Sequence, residues 1–218
     1  MSRGGGRSHI HPPRARAQRA MTASEIRLPW AAVFGNDHPV EVEIGPGRGD
    51  VLLALAAAAP AINFFAIERA ARAAAAITEK AAERRLTNVR VVAGDARCVV
   101  ARLVAEASVA AYHLYFPDPW PKTRHRARRL SDPSFAAELL RTLARGGVLH
   151  LASDLRHLLD DFAAVLAAAG LVPEAGAVPP PGRPTTAFER RYAQAGTHYA
   201  RWRRPGERGA PAPVEADD

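Results

Sequence analysis

Three acidic residues in this chain stand beside glycines or at the ends of apolar runs, where a carboxylate can meet a ligand. The first begins the stretch Glu43-Ile44-Gly45-Pro46-Gly47-Arg48-Gly49. Its glycines permit a tight turn and close approach of the backbone to a bound group. Pro46 lacks an N–H, so backbone donors must come from its neighbours. The spacing departs from the dinucleotide fingerprint G-x-G-x-x-G, because the third glycine comes one residue early. Glu43 would repel a pyrophosphate and attract an ammonium group. The second acid, in Ile67-Glu68, can accept both ribose hydroxyls of an adenosine through its two oxygens. The third, in Gly94-Asp95-Ala96, can accept from an adenine amino group. Taken singly, each acid reads equally well as a helix N-cap or a solvated turn. Together they fit a ligand with a positive charge, a ribose and an adenine, and no phosphates.

A fourth stretch, Tyr115-Phe116-Pro117-Asp118-Pro119-Trp120-Pro121-Lys122, holds a carboxylate and an indole in a backbone restricted by prolines. A basic run follows: Lys122, Arg124, His125, Arg126, Arg128 and Arg129, with no acid before Asp132. Alone, such a run is a solvated face. Beside a site it reads as a clamp on phosphates, with nearby aromatic rings able to stack on a base at ~1–3 kcal/mol each.

The elements that must position these groups alternate between apolar strands and helical stretches. Strands are expected at Val40–Ile44, Asn63–Ile67, Val89–Val92, Ala111–Phe116 and Val148–Leu151. Helices are expected at Asp50–Ala59, Arg69–Arg85, Arg97–Val104, Pro133–Leu143 and Leu155–Ala169, the last stopped by Gly170. Residues 171–175 and 197–203 are expected to close the fold as an antiparallel pair. This alternation implies a doubly wound α/β fold, with a mostly parallel sheet and helices on both faces. Ligands of such sheets bind beyond the carboxyl ends of the strands, which is where Glu43, Glu68, Asp95 and Asp118 fall.

The bulk numbers agree with a single globular domain. The chain has 218 residues, 48% of them hydrophobic, and a formal net charge of +8. That charge favours a polyanionic partner, nucleic acid ahead of a membrane, the plainer alternative being a charge that serves solubility. Residues 1–25 read as a flexible basic arm, 26–204 as the domain and 205–218 as a frayed tail. The alanine-rich runs at 54–59 and 70–76 are too short to span a bilayer, and the start of the chain lacks the apolar stretch of a secretory signal. A soluble, cytoplasmic protein is expected. Cys98 stands alone and reads as a small core residue of a buried helix. His113, His150 and His157 show no metal-ligand spacing, and no metal is expected.

The glycine turn with its strand-end acids resembles that of class I S-adenosylmethionine-dependent methyltransferases. The string from Phe116 to Leu130 is similar to the signature of tRNA (guanine-N7)-methyltransferases. Ser153-Asp154 falls where that family carries a Thr-Asp or similar pair, and Thr186-Ala187-Phe188-Glu189-Arg190 resembles its Thr-Lys-Phe-Glu segment, with Ala187 in place of the lysine. The resemblance covers about residues 40–200. It implies a Rossmann-like sheet of seven strands, the last antiparallel. It implies S-adenosylmethionine as cofactor, held by Glu43, Gly45, Gly47, Gly49, Glu68 and Asp95, with Asp118 as the catalytic residue and a further cofactor contact. Lys122, Asp154, Thr186, Phe188 and Glu189 would bind the RNA, with Arg128 and Arg129 on its phosphates. Asp154 also reads as a cap for the helix that follows it, and Phe188 as a core residue. The implied activity is methylation of N7 of a variable-loop guanine in tRNA, by a monomer or a homodimer. Another RNA methyltransferase, acting for instance on an adenine amino group, and a non-catalytic RNA-binding protein on the same fold are the alternatives. The glycine spacing weighs against a nicotinamide oxidoreductase.

Overall fold

The computed structural model describes residues 27–119, 130–186, 189–190 and 196–206. Among these residues thirteen elements occur in the order α1 (Trp30–Phe34), β1 (Val40–Ile44), α2 (Asp50–Ala58), β2 (Asn63–Glu68), α3 (Ala71–Glu83), β3 (Val89–Ala93), α4 (Ala96–Leu103), β4 (Val109–Tyr115), α5 (Pro133–Thr142), β5 (Leu143–Ser153), α6 (Arg156–Ala169), β6 (Val172–Glu174) and β7 (His198–Arg203). The strands form one seven-stranded sheet in the order β3-β2-β1-β4-β5-β7-β6. The first five run parallel, and β7 pairs antiparallel with both β5 and β6. The strand order reverses between β1 and β4, the switch point at which an open α/β sheet leaves a crevice beyond its carboxyl ends.

The two faces of the sheet separate the apolar residues into two cores. One lies under α1, α4, α5 and α6, and includes Val42, Ile44, Phe65, Tyr112, Leu114, Leu149 and Leu151. The other lies under α2 and α3, and includes Phe64, Ala66, Val89, Tyr115 and Ala152. Strand alternation explains the division, since neighbouring residues point to opposite faces. Strand β2, buried at every position, reads as the continuous apolar run of a strand covered on both sides. Trp202 of β7 is buried among the residues under α6, which anchors the closing hairpin.

Helix ends follow local chemistry. Asp132 accepts from Ser134 N at 3.0 Å and Phe135 N at 3.4 Å, with Pro133 opening α5. A proline suits that first position, where no intrahelical N–H is needed. Gly170 closes α6 at φ +105°.

The structure corrects several expectations. The sequence pattern did not mark α1, whose Trp30 ring packs 5.1 Å from that of Phe65 and whose indole N–H donates to Ser108 Oγ at 3.1 Å. Strand β5 begins at Leu143 rather than Val148, and its pairing with β4 is irregular between Val109 and Ala111. Glycines 146 and 147 masked that strand start, because strands seldom carry them without a bulge. Cys98 is exposed rather than buried: α4 turns Ala96, Val99 and Val100 inward, and the helical period sends position 98 outward. The expected basic arm lies outside the described residues, as does the tail beyond residue 206. Among the described residues no helix is long and apolar enough to cross a membrane.

Candidate active site

The carboxyl ends of the parallel strands are tied together before any ligand is considered. Gly45 N donates to Ile67 O at 2.9 Å, Gly94 N to Glu68 O at 2.9 Å and Phe116 N to Ala152 O at 2.8 Å. The first two bonds tie together the turns after β1, β2 and β3, the third ties β4 to β5, and the pairing of β1 with β4 sets all of them at one edge.

Glu68 organises the glycine turn. It is buried, and its Oε2 accepts from Gly47 N at 3.2 Å while its Oε1 accepts from Ala70 N at 2.8 Å. A carboxylate has about four lone-pair sites, so acceptor capacity remains on the side that faces the cavity. Asp95 caps α4 by accepting from Arg97 N at 3.0 Å, and pairs with the Arg97 guanidinium at 3.1 Å. The Arg97 hydrogen bond is the main reason its carboxyl is held below the usual range. Capping and ligand binding are therefore compatible at this residue.

Glu68 and Asp95 line a cavity of about 240 Å³ together with Gly45, Tyr115, Phe116 and Asp118. Asp118 reaches it from the loop after β4 and is exposed. The chain turns out of β4 at Phe116, which has φ +52°. A positive φ on a bulky residue marks backbone strain of the kind concentrated at functional sites.

A second cavity, of about 220 Å³, adjoins the first and shares Gly45, Tyr115 and Phe116 with it. Glu43, Gly47 and Thr186 complete the part of its wall that concerns the site. Glu43 is only 4% exposed, and its Oε2 has no hydrogen-bond partner. Burial pushes its carboxyl up to about 8, against the opposing pull of Arg183. A buried acceptor without a donor suits a ligand that carries a cation. The pair of cavities thus sets the acceptors Glu68 and Asp95 in one wall and the buried Glu43 in the other, a set whose chemistry would suit a ligand with a cation and several hydrogen-bond donors.

Other expected residues fall differently. Gly49 lines neither cavity. It is the αL N-cap of α2, and a Cβ on it would meet Ile77 at 3.0 Å. Asp154 is half-buried at the end of β5 and belongs to neither wall. It does not cap α6. Ser153 Oγ accepts from Leu155 N at 3.0 Å, and the helix has no side-chain cap of its own. Thr186 and Glu189 form a reciprocal capping box: Thr186 N donates to Glu189 Oε2 at 2.6 Å, and Glu189 N to Thr186 Oγ1 at 2.9 Å. Glu189 is buried and also accepts from Arg183 and from Tyr199 Oη. Lys122, Arg128, Arg129 and Phe188 lie outside the described residues.

Sequence reasoning missed the support beneath the site. The Tyr115 ring lies under the Arg183 guanidinium, 4.3 Å from its centroid, and its hydroxyl shares a hydrogen bond with His113 Nδ1 at 2.8 Å. His113 Nε2 in turn contacts Glu41 at 2.7 Å. His113 also stacks on His150 at 5.1 Å, and burial and the neighbouring ring press His150 down to about 4. The Thr-x-x-Glu spacing alone could have pointed to the capping box. No local signal pointed to Arg183.

Comparisons with known proteins bear on the family and the fold. A family model described as "Putative methyltransferase" matches residues 37–201. The tRNA (guanine-N(7)-)-methyltransferase of Psychromonas ingrahamii is 39% identical over 171 residues, covering 77% of this chain and 70% of that protein. The protein of the same name from Stutzerimonas stutzeri is 40% identical over 169 residues, covering 75% and 71%. Among solved structures, the 16S rRNA methyltransferase KamB aligns with a TM-score of 0.60 at 16% identity, covering 81% of this chain and 92% of that one. A SAM-dependent methyltransferase from Aquifex aeolicus aligns with a TM-score of 0.54 at 16% identity, covering 80% and 87%. These structural likenesses show the fold, a class I methyltransferase sheet. The sequence relatives show the family: this chain belongs to the tRNA (guanine-N(7)-)-methyltransferases.

Proposed function

We propose that the protein transfers a methyl group from S-adenosylmethionine to N7 of a guanine in tRNA, the variable-loop guanine. One observation carries the reading within this family: one cavity unites Glu68, Asp95 and Asp118, and the cavity that shares Gly45, Tyr115 and Phe116 with it is walled by Glu43, whose buried Oε2 has no hydrogen-bond partner. S-adenosylmethionine, when bound, supplies a methyl group on a cationic sulfur. Glu43 meets its ammonium, Glu68 its ribose hydroxyls and Asp95 its adenine amino group. The glycine turn lets the backbone approach without side chains in the way.

Guanine N7 has a free lone pair at neutral pH, so no general base is needed before attack. Alignment of the two reactants is the main task, and well-oriented groups can gain roughly 7–11 kcal/mol. Positive charge grows on the guanine as the methyl transfers, and its N1–H becomes more acidic. A fixed carboxylate near that edge stabilises the change. Asp118 shares the cavity with Glu68 and Asp95, which favours giving it this task. Asp154, outside both walls, is assigned to the RNA. Lys122, Arg128 and Arg129 hold the phosphates. Thr186 and Phe188 present the RNA-facing segment, and Glu189, committed to protein partners, shapes it. The substrate makes the cytoplasm the place of work.

The test is mass spectrometry of nucleosides after incubation of unmodified tRNA with the protein and S-adenosylmethionine. 7-Methylguanosine is the expected product. Methylation of an adenine or of an exocyclic nitrogen would overturn the assignment, and absence of any product would leave a binding protein.

A further inference from the structure

Arg183 is a cation buried where stability gains little from one. Its side chain is 1% exposed. Taking a charged pair out of water costs about as much as the pairing returns, and apolar replacements of buried pairs are often neutral or better. The arrangement around Arg183 is nevertheless specific. Its two terminal nitrogens take both oxygens of Glu189 at 3.1 Å each, the fork-to-fork geometry that fixes orientation as well as charge. Its flat face covers Tyr115 at 4.3 Å and lies 5.6 Å from the ring of Tyr199. The backbone that presents it is stiff, with prolines at 179, 180, 181 and 184, and Arg183 N donates to Pro180 O at 3.1 Å.

Each partner leads to a different part of the site. Glu189 closes the capping box with Thr186, which lines the cavity of Glu43. Tyr115 lies in the walls of both cavities. We propose that Arg183 is a positioning residue, joining the Thr186 and Glu189 segment to the wall of the cofactor pocket so that the RNA-facing segment and the cofactor bed take one geometry. This inference rests on the methyltransferase reading and deepens it: the Arg183 side chain is buried and lines neither cavity, so it acts through the residues it holds.

A second consequence concerns charge. Glu43 lies beside His113 of β4 and shares its cavity wall with Arg48, Asp50 and Tyr115, while Arg183, paired with Glu189, comes from the segment after β6. Among these, Arg183 is the cation that draws Glu43 towards its ionised form against burial. Removal of that cation must raise the pH at which Glu43 becomes a carboxylate able to pair with an ammonium.

The full chain with Arg183→Met and with Arg183→Lys separates the two roles. Calorimetry with S-adenosylmethionine from pH 6 to 9 reads the charge, and steady-state kinetics with tRNA at saturating cofactor reads the segment. Arg183→Met should weaken cofactor binding at neutral pH, with affinity recovering at a higher pH than in the wild type. It should also raise KM for tRNA on the order of ten-fold, with a smaller change in kcat. Arg183→Lys keeps the cation and should restore the pH profile. It cannot span both oxygens of Glu189, so KM should stay raised. A wild-type pH profile with wild-type KM in Arg183→Met would overturn the inference, and so would an equal, pH-independent loss in both variants. Should Arg183→Met fail to fold, as read by its melting curve, Arg183→Lys and Glu189→Gln decide: a wild-type KM in both would sink the idea. Failure of the wild-type protein to bind S-adenosylmethionine would instead defeat the methyltransferase reading itself.

Discussion

Asp118 and Glu43 are both carboxylates of the site, yet one is exposed and the other almost wholly buried. The difference suits opposite tasks. Asp118 is proposed to meet a charge that develops only during transfer, and Asp118→Asn keeps its shape while removing that charge. Activity should fall by about 10²–10³-fold, as when one preorganised electrostatic group is removed, with melting temperature and RNA affinity near those of the wild type. Near-normal turnover would leave Asp118 as scaffold. Glu43 has a carboxyl raised from 4.5 to about 8 in the fold. Between those values the unfolded chain has already lost the proton that the folded chain keeps, so stability falls as pH rises through the window. Glu43→Gln abolishes that loss. Without ligand the variant should melt close to the wild type near pH 5 and clearly above it at pH 8, while its affinity for S-adenosylmethionine drops. A melting difference that did not change with pH would refute the burial argument.

At the scale of elements, the turn between β1 and α2 distinguishes two glycines that look alike in the sequence. Gly47 has φ +58° with nothing within 4 Å of a Cβ, whereas Gly49 has φ +77° with Ile77 of α3 at 3.0 Å. Gly47→Ala should cost only the left-handed strain, ~1–2 kcal/mol. Gly49→Ala adds overpacking against Ile77, for a total of ~2–5 kcal/mol, and should shift α2 against α3. Chemical denaturation of both variants checks the order, and equal losses would mean that the Ile77 contact yields freely. Elements with strong periodicity and clear punctuation were legible in the chain: α6 ends at Gly170, α5 opens at Pro133 and β6 pairs with β7 as expected. The short α1 was not, because five residues give too little period to read and its place depends on Phe65 and Ser108, far along the chain.

Over the whole molecule, a net charge of +8 meets a substrate made of phosphates. Each phosphate contact to single-stranded RNA adds about 0.7 to the slope of log affinity against log salt. The double variant Arg128→Ala, Arg129→Ala should therefore bind tRNA less tightly and with a shallower slope, measured by filter binding over a salt series. An unchanged slope would return both arginines to the solvated surface. The sheet's strand order decides where this charge matters, since the reversal between β1 and β4 gathers the glycine turn, Glu68, Asp95 and Asp118 at one edge.

The sequence by itself determined the strand-end acids, the glycine turn, the proline-framed Asp118 and the family likeness. These are local patterns, set by side-chain alternation and backbone punctuation within a few residues. Only the tertiary structure decided what each group is free to do. The Arg183 pairing with Tyr115 crosses from the loop after β6 to the end of β4. The Gly47 bond to Glu68 needs β1 and β2 side by side. Ser153, rather than Asp154, holds the turn into α6. Glu189, whose segment resembles a substrate motif, turns its carboxylate to Arg183, Thr186 and Tyr199. Burial and pairing depend on which distant elements cover a residue, and a linear pattern does not carry that information.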